Sequence, residues 1–135
     1  MVLHRRVAIA SLLVGSMTLA LSAHAVELNG VWASDPALCG KIFAKKGNRV
    51  EFDPLSDFYG SGFIIEKNRI RGKIADCTIK SRREESGMVQ LSAACSTDVA
   101  VEDLEFSLKV IDEDTLGRIY PGTAAMQVNF HRCRP

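Results

Sequence analysis

A period of two runs through most of this chain after residue 48, and few architectures are open to a chain patterned that way. Arg49-Val50-Glu51-Phe52 alternates and stops at Asp53-Pro54. Val89, Leu91, Ala93 and Cys95 alternate with polar or small residues. Leu104, Phe106, Leu108 and Val110 do the same, and so do Met126, Val128 and Phe130. This spacing gathers the apolar side chains on one face of each strand. Further strands read over Gly30-Val31-Trp32, over residues 60–66 around Phe63, Ile64 and Ile65, and over residues 116–120 before Pro121-Gly122. A long strand reads from Arg69 to Arg83. Its apolar phase changes between Ile70 and Ile74 on one side and Cys77 and Ile79 on the other, which points to a bulge near Ala75-Asp76. Roughly eight short strands joined by hairpin-length turns predict an all-β fold, a small antiparallel barrel or barrel-like sandwich.

One short helix is expected after the first strand, over residues 36–46. Asp35-Pro36 reads as an N-cap followed by proline at the first helical position. Leu38, Cys39, Ile42 and Phe43 fall at helical spacing, and Gly47 follows Lys45 and Lys46 as a stop.

The first 25 residues read differently from the rest. His4, Arg5 and Arg6 give a positive start, Val7 to Leu21 is mostly apolar, and Ala23-His24-Ala25 offers a small-residue cleavage site. The expected organisation is a signal peptide over 1–25 and a single disulfide-stabilised β domain over 26–135, in the periplasm or secreted. No transmembrane segment is expected in the mature chain, because no apolar run after Val26 is long enough to cross a bilayer.

Cysteine usage fits an oxidising compartment. Cys39, Cys77, Cys95 and Cys133 all follow the signal, and none forms a C-x-x-C pair of the zinc or redox type. A three-residue hairpin loop over Glu85-Ser86-Gly87 would pair Glu84 with Met88, Ile79 with Ala93 and Cys77 with Cys95. The expected disulfides are therefore Cys77–Cys95 and, by elimination, Cys39–Cys133.

Charge is nearly balanced but segregated. Of 17 Lys and Arg residues, Arg5 and Arg6 leave with the signal, so the remainder carries 15 bases against 16 acids. Seven bases lie between Lys67 and Arg83 with Asp76 as the only acid, and seven acids lie between Asp98 and Asp114 with Lys109 as the only base. Arg69, Arg71, Lys73, Lys80 and Arg82 are expected to share one outward face and to form a cationic ridge. Such a ridge suits an anionic envelope component or an acidic protein. Nucleic acid is not an expected partner, since aromatic platforms between these bases are missing.

Catalytic signatures are scarce. His131 is the only histidine after the signal, and there is no G-x-S-x-G elbow, P-loop or dinucleotide fingerprint. The acids at Asp112, Glu113 and Asp114 read as a hairpin tip rather than a pair facing across a cleft. No enzyme activity, cofactor or metal is expected.

Gly30-Val31-Trp32 at the start and Arg132 near the end resemble the calycin superfamily, the lipocalins, avidins and their relatives. In these eight-stranded barrels a G-x-W strand opens the fold and an arginine from the last strand packs across the tryptophan. The resemblance implies a barrel with a pocket for a small apolar ligand, with Trp32, Arg132 and Arg118 as the candidate residues. Arg118 is in phase with Leu116 and Arg132 with Phe130, so both can point inward. The chain also resembles small uncharacterised bacterial exported proteins with a G-x-W start and a C-terminal cysteine, which implies no activity. The expected function is a non-catalytic binding or interaction module. The alternatives are a carrier of a small apolar ligand and an inhibitor of an envelope-directed hydrolase.

Overall fold

The computed structural model describes residues 25–122 and 124–135; the expected signal peptide lies outside them except for Ala25. The strands are β1 (Gly30–Ala33), β2 (Phe43–Lys46), β3 (Arg49–Phe52), β4 (Gly62–Glu66), β5 (Arg69–Arg71), β6 (Asp76–Glu85), β7 (Met88–Ser96), β8 (Val101–Asp112), β9 (Thr115–Tyr120) and β10 (Met126–Cys133). Eight of them close an antiparallel barrel in the order β1-β10-β9-β8-β7-β6-β5-β4, with β4 returning to β1. β2 and β3 form a separate hairpin outside it.

The alternation sorts side chains to the two faces as the sequence implies. Trp32, Phe63, Ile70, Val89, Leu91, Leu108, Leu116 and Phe130 point inward and are buried. Phe63 stands 4.9 Å from Phe130 and 6.4 Å from Trp32 between ring centroids, so three aromatics fill the middle of the barrel. A second apolar cluster lies on the outside of the wall. Val31, Ala33 and Ile64 face outward there and pack against Ile42 and Phe43. Burial on both faces explains why Val31-Trp32-Ala33 and Phe63-Ile64-Ile65 read as continuous apolar runs rather than alternating ones.

The expected helix over 36–46 is shorter than its spacing suggested. A 3₁₀ turn over Pro36–Leu38, capped by the Asp35 carboxylate on the Ala37 N–H, leads into a single α turn, Cys39–Ile42. The chain then becomes extended at Phe43, because the Phe43 ring packs on Phe52 at 5.0 Å across the β2–β3 hairpin. Gly47 turns that hairpin instead of ending a helix. The Cys39–Cys133 disulfide ties this outer layer to the last barrel strand.

The other expected bond, Cys77–Cys95, is also present. Its strands pair Cys77 with Cys95 and Ile79 with Ala93, as expected, but the turn between them differs. Ser86 and Gly87 alone make a two-residue turn with φ of 50° and 77°, so that Glu85 pairs with Met88. A bulge between Ile79 and Ser81 then absorbs the one-residue difference. At Ala75-Asp76 there is no bulge. Residues 72–75 are instead a turn that splits the expected long strand into β5 and β6, with Arg71 opposite Asp76.

Candidate functional site

The two ends of the barrel are built differently. One end carries the N-terminal residues before β1 and the β4–β5, β6–β7 and β8–β9 turns. Arg132 closes it. Its guanidinium lies 4.2 Å from the Trp32 ring centroid and donates to the carbonyls of Asn29 (2.6 Å), Glu27 (3.2 Å) and Glu113 (3.1 and 3.2 Å). The Trp32 indole N–H donates to Leu28 O at 3.0 Å. Glycine at position 30 is what admits this arrangement, since a Cβ there would stand 2.5 Å from an Arg132 nitrogen. Trp32 and Arg132 border an open groove of about 560 Å³ beside Val26 and Asp112. Trp32 is nevertheless 0% exposed, and the Arg132 nitrogens are committed to carbonyls, so this pair braces the structure rather than offering free groups.

The other end is open. It gathers the long β1–β4 connection with its outer layer, the 72–75 turn, the β7–β8 turn and the β9–β10 loop. A pocket of about 150 Å³ enters the barrel here, lined mainly by Phe63, Ile70, Leu104, Phe106, Leu108 and Arg118, with Gly72 and Ala75 at its rim. Phe63 separates it from Trp32.

Arg118 is the one charged side chain of this pocket. β9 holds it opposite Leu108 on β8 and Val128 on β10, one inward position deeper than Tyr120. The cation lies 4.8 Å from the Phe106 ring centroid and 4.4 Å from that of Tyr120. Among the described residues no carboxylate pairs with it. Sequence phase thus placed both arginines inside the barrel, but the structure puts them at opposite ends with different duties.

Around the mouth stand exposed apolar side chains from three connections and from the start of β10: Phe58 (83%), Ile74 (82%), Val99 (93%) and Met126 (57%). Phe58 and Val99 sit singly in turns where no period marks them, whereas Ile74 and Met126 fit the strand alternation of the sequence and yet stand exposed. Lys73 straps the mouth on one side, donating from Nζ to Pro54 O at 3.0 Å and to the Asp57 carboxylate at 2.5 Å.

The expected cationic ridge does not assemble as one free face. Arg69 pairs with Asp76 at 2.6 Å and Lys80 with Asp103 at 3.0 Å. The Arg71 side chain, 13% exposed, turns against the β2–β3 hairpin and donates to Val50 O and to Glu66 at 3.1 and 3.2 Å. Lys73 is in the turn, not on a strand face. Arg82 lies opposite the buried Leu91 and so is on the interior side, where it contacts Glu84 and Val26 O. The bulge before Ser81 is the reason, since a one-residue insertion flips every later side chain to the other face.

No group of three or more His, Cys, Asp or Glu side chains among the described residues is placed to hold a metal ion. No helix among the described residues is long and apolar enough to cross a membrane. Comparison with protein-family models, with curated proteins and with solved structures finds no match.

Proposed function

We propose that the chain is a non-catalytic binding protein, periplasmic or secreted, that holds a small apolar ligand in the pocket at the open end of the barrel. The apolar lining of that pocket carries the reading. Phe63, Ile70, Leu104, Phe106 and Leu108 would each give up water-exposed surface to a ligand, at about 25 cal/mol per Å² buried. Its volume of about 150 Å³ matches the roughly 150 Å³ apolar cavities that stay dry and accept benzene. The two disulfides fit the oxidising compartments outside the cytoplasm. A partner binding through the basic strands is less well supported, because Arg69, Arg71, Lys73, Lys80 and Arg82 each contact an acid of the same chain.

The test is a titration of residues 26–135 with benzene and toluene, followed by methyl NMR. Shifts confined to Ile70, Leu104 and Leu108 are expected, and Ala75→Phe at the rim should abolish them. Unchanged spectra, or shifts centred on the groove beside Val26, would overturn the reading.

A further inference from the structure

We infer that the pocket selects a monocarboxylate with an apolar body, its carboxylate held on Arg118; this rests on the reading of the pocket as a ligand site. The starting point is a cation without a counter-charge. Every other interior or strap-forming base discussed above has a carboxylate or carbonyl of this chain against it, whereas Arg118 has two aromatic rings and no carboxylate among the described residues. Ring contact accounts for the faces of a guanidinium. It does not satisfy the N–H groups along its edge, which are a planar fork that fits a carboxylate with two parallel hydrogen bonds.

Arg118 enters the pocket opposite Leu108 and Val128, and its guanidinium lies between the rings of Phe106 and Tyr120, which stand one inward position nearer the mouth. The other walls of the pocket include Ile70, Leu104 and Leu108, and all of them are apolar. An acid of eight or nine heavy atoms, aromatic or aliphatic, matches a space of about 150 Å³. A longer chain would leave through the mouth, where Ile74, Val99 and Met126 stand exposed. A dianion is disfavoured, because a second charge would find no cation in the lining.

The experiment compares acids with uncharged molecules of the same shape, by calorimetry and methyl NMR on residues 26–135. Benzoate is set beside toluene, and hexanoate beside hexan-1-ol, at neutral pH. The wild type is expected to hold each acid at least tenfold more tightly than its neutral counterpart. Arg118→Met should remove that preference while keeping the neutral ligands, and Arg118→Lys should keep part of it. Benzoate outranking hexanoate identifies an aromatic acid as the ligand, and the reverse order an aliphatic one. Octanoate then extends the second series, with a gain of up to about fourfold for each further methylene buried at the rim. Equal binding of acid and neutral counterpart by the wild type overturns the inference and leaves the apolar pocket standing, a comparison that needs no variant to fold. An acid preference that survives Arg118→Met also overturns it. Failure of all four ligands to bind overturns the pocket reading as well.

Discussion

The two disulfides close loops of very different length, and this makes their relative worth calculable. Cys39–Cys133 spans 94 residues and Cys77–Cys95 spans 18. In the loop-entropy treatment these lengths correspond to about 4.7 and about 3.2 kcal/mol of stabilisation, through restriction of the unfolded chain. Packing works in the opposite direction. Cys77 and Cys95 are both buried in the main core, whereas Cys39 is only half-buried, so alanine at 77 and 95 loses slightly more contact. We expect Cys39→Ala/Cys133→Ala to be less stable than Cys77→Ala/Cys95→Ala by about 1 kcal/mol. The long-loop variant alone forfeits a third or more of the roughly 5–15 kcal/mol available to a domain of this size. The assay is urea unfolding without reductant, followed by fluorescence of the single tryptophan, Trp32. If the Cys77→Ala/Cys95→Ala protein is the less stable of the two, chain entropy is not what these bonds contribute and the reasoning fails.

Three other perturbations test the architecture. Arg132→Met keeps a side chain over Trp32 but removes the hydrogen bonds to Glu27, Asn29 and Glu113; a loss of about 2–3 kcal/mol in urea unfolding is expected, and a loss under about 0.5 kcal/mol would deny Arg132 its bracing role. Ser86→Asn puts a residue tolerant of positive φ into the two-residue β6–β7 turn, where Ser86 has φ of 50°, and should raise the melting temperature by a few degrees, corresponding to about 0.5 kcal/mol; a fall would refute the assigned turn. Arg71→Glu should cost about 2 kcal/mol, because the new carboxylate would meet Glu66 at a mostly buried position, while Arg69→Glu at an exposed one should cost under about 0.5 kcal/mol; equal costs in thermal melts would contradict the different placement of the two arginines.

Eight strands were legible from the alternation, yet the eight that close the barrel are not the same set. Arg49–Phe52 reads as a strand and is one, but it pairs with Phe43–Lys46 outside the barrel. The stretch from Arg69 to Arg83 reads as one strand and is two. The errors offset each other for a physical reason. Period two reports only that a segment is extended with one face buried, and a hairpin packed on the outer wall meets that condition as well as a barrel strand does. The Gly72–Ala75 turn escaped notice because Ile74 keeps the phase of Ile70 through it while standing 82% exposed. The cysteine register was found despite a misassigned turn. Lengthening the loop by one residue and inserting a bulge at one residue shift the pairing equally, and Cys77 and Cys95 lie beyond both changes.

The same bulge decides how much of the site could be read. Parity carries Arg118 and Arg132 correctly into the interior, because β9 is regular from Leu116 through Arg118 and β10 is regular throughout their spans. Parity fails for Arg82, on the far side of an insertion that leaves no mark in composition. What parity cannot supply is depth. Whether an inward arginine ends among carbonyls or in a pocket depends on which turns crowd its end of the barrel. At the Arg132 end, the N-terminal residues and the β8–β9 turn bring three carbonyl groups onto one guanidinium. At the Arg118 end, the corresponding connections stay apart. One of them is pulled outward by the Cys39–Cys133 bond and the Phe43–Phe52 contact, and Lys73 then pins the 72–75 turn to it. The outer layer that disrupted the helix expectation is thus also what holds the mouth open. This gives a last prediction. Lys73→Met should leave global stability within about 1 kcal/mol, since the ion pair is partly solvated. It should raise amide exchange across residues 53–60 and 72–75 and leave that of β7 unchanged. Unaltered exchange at the mouth would mean that the disulfide alone sets its width and that the lysine strap is incidental.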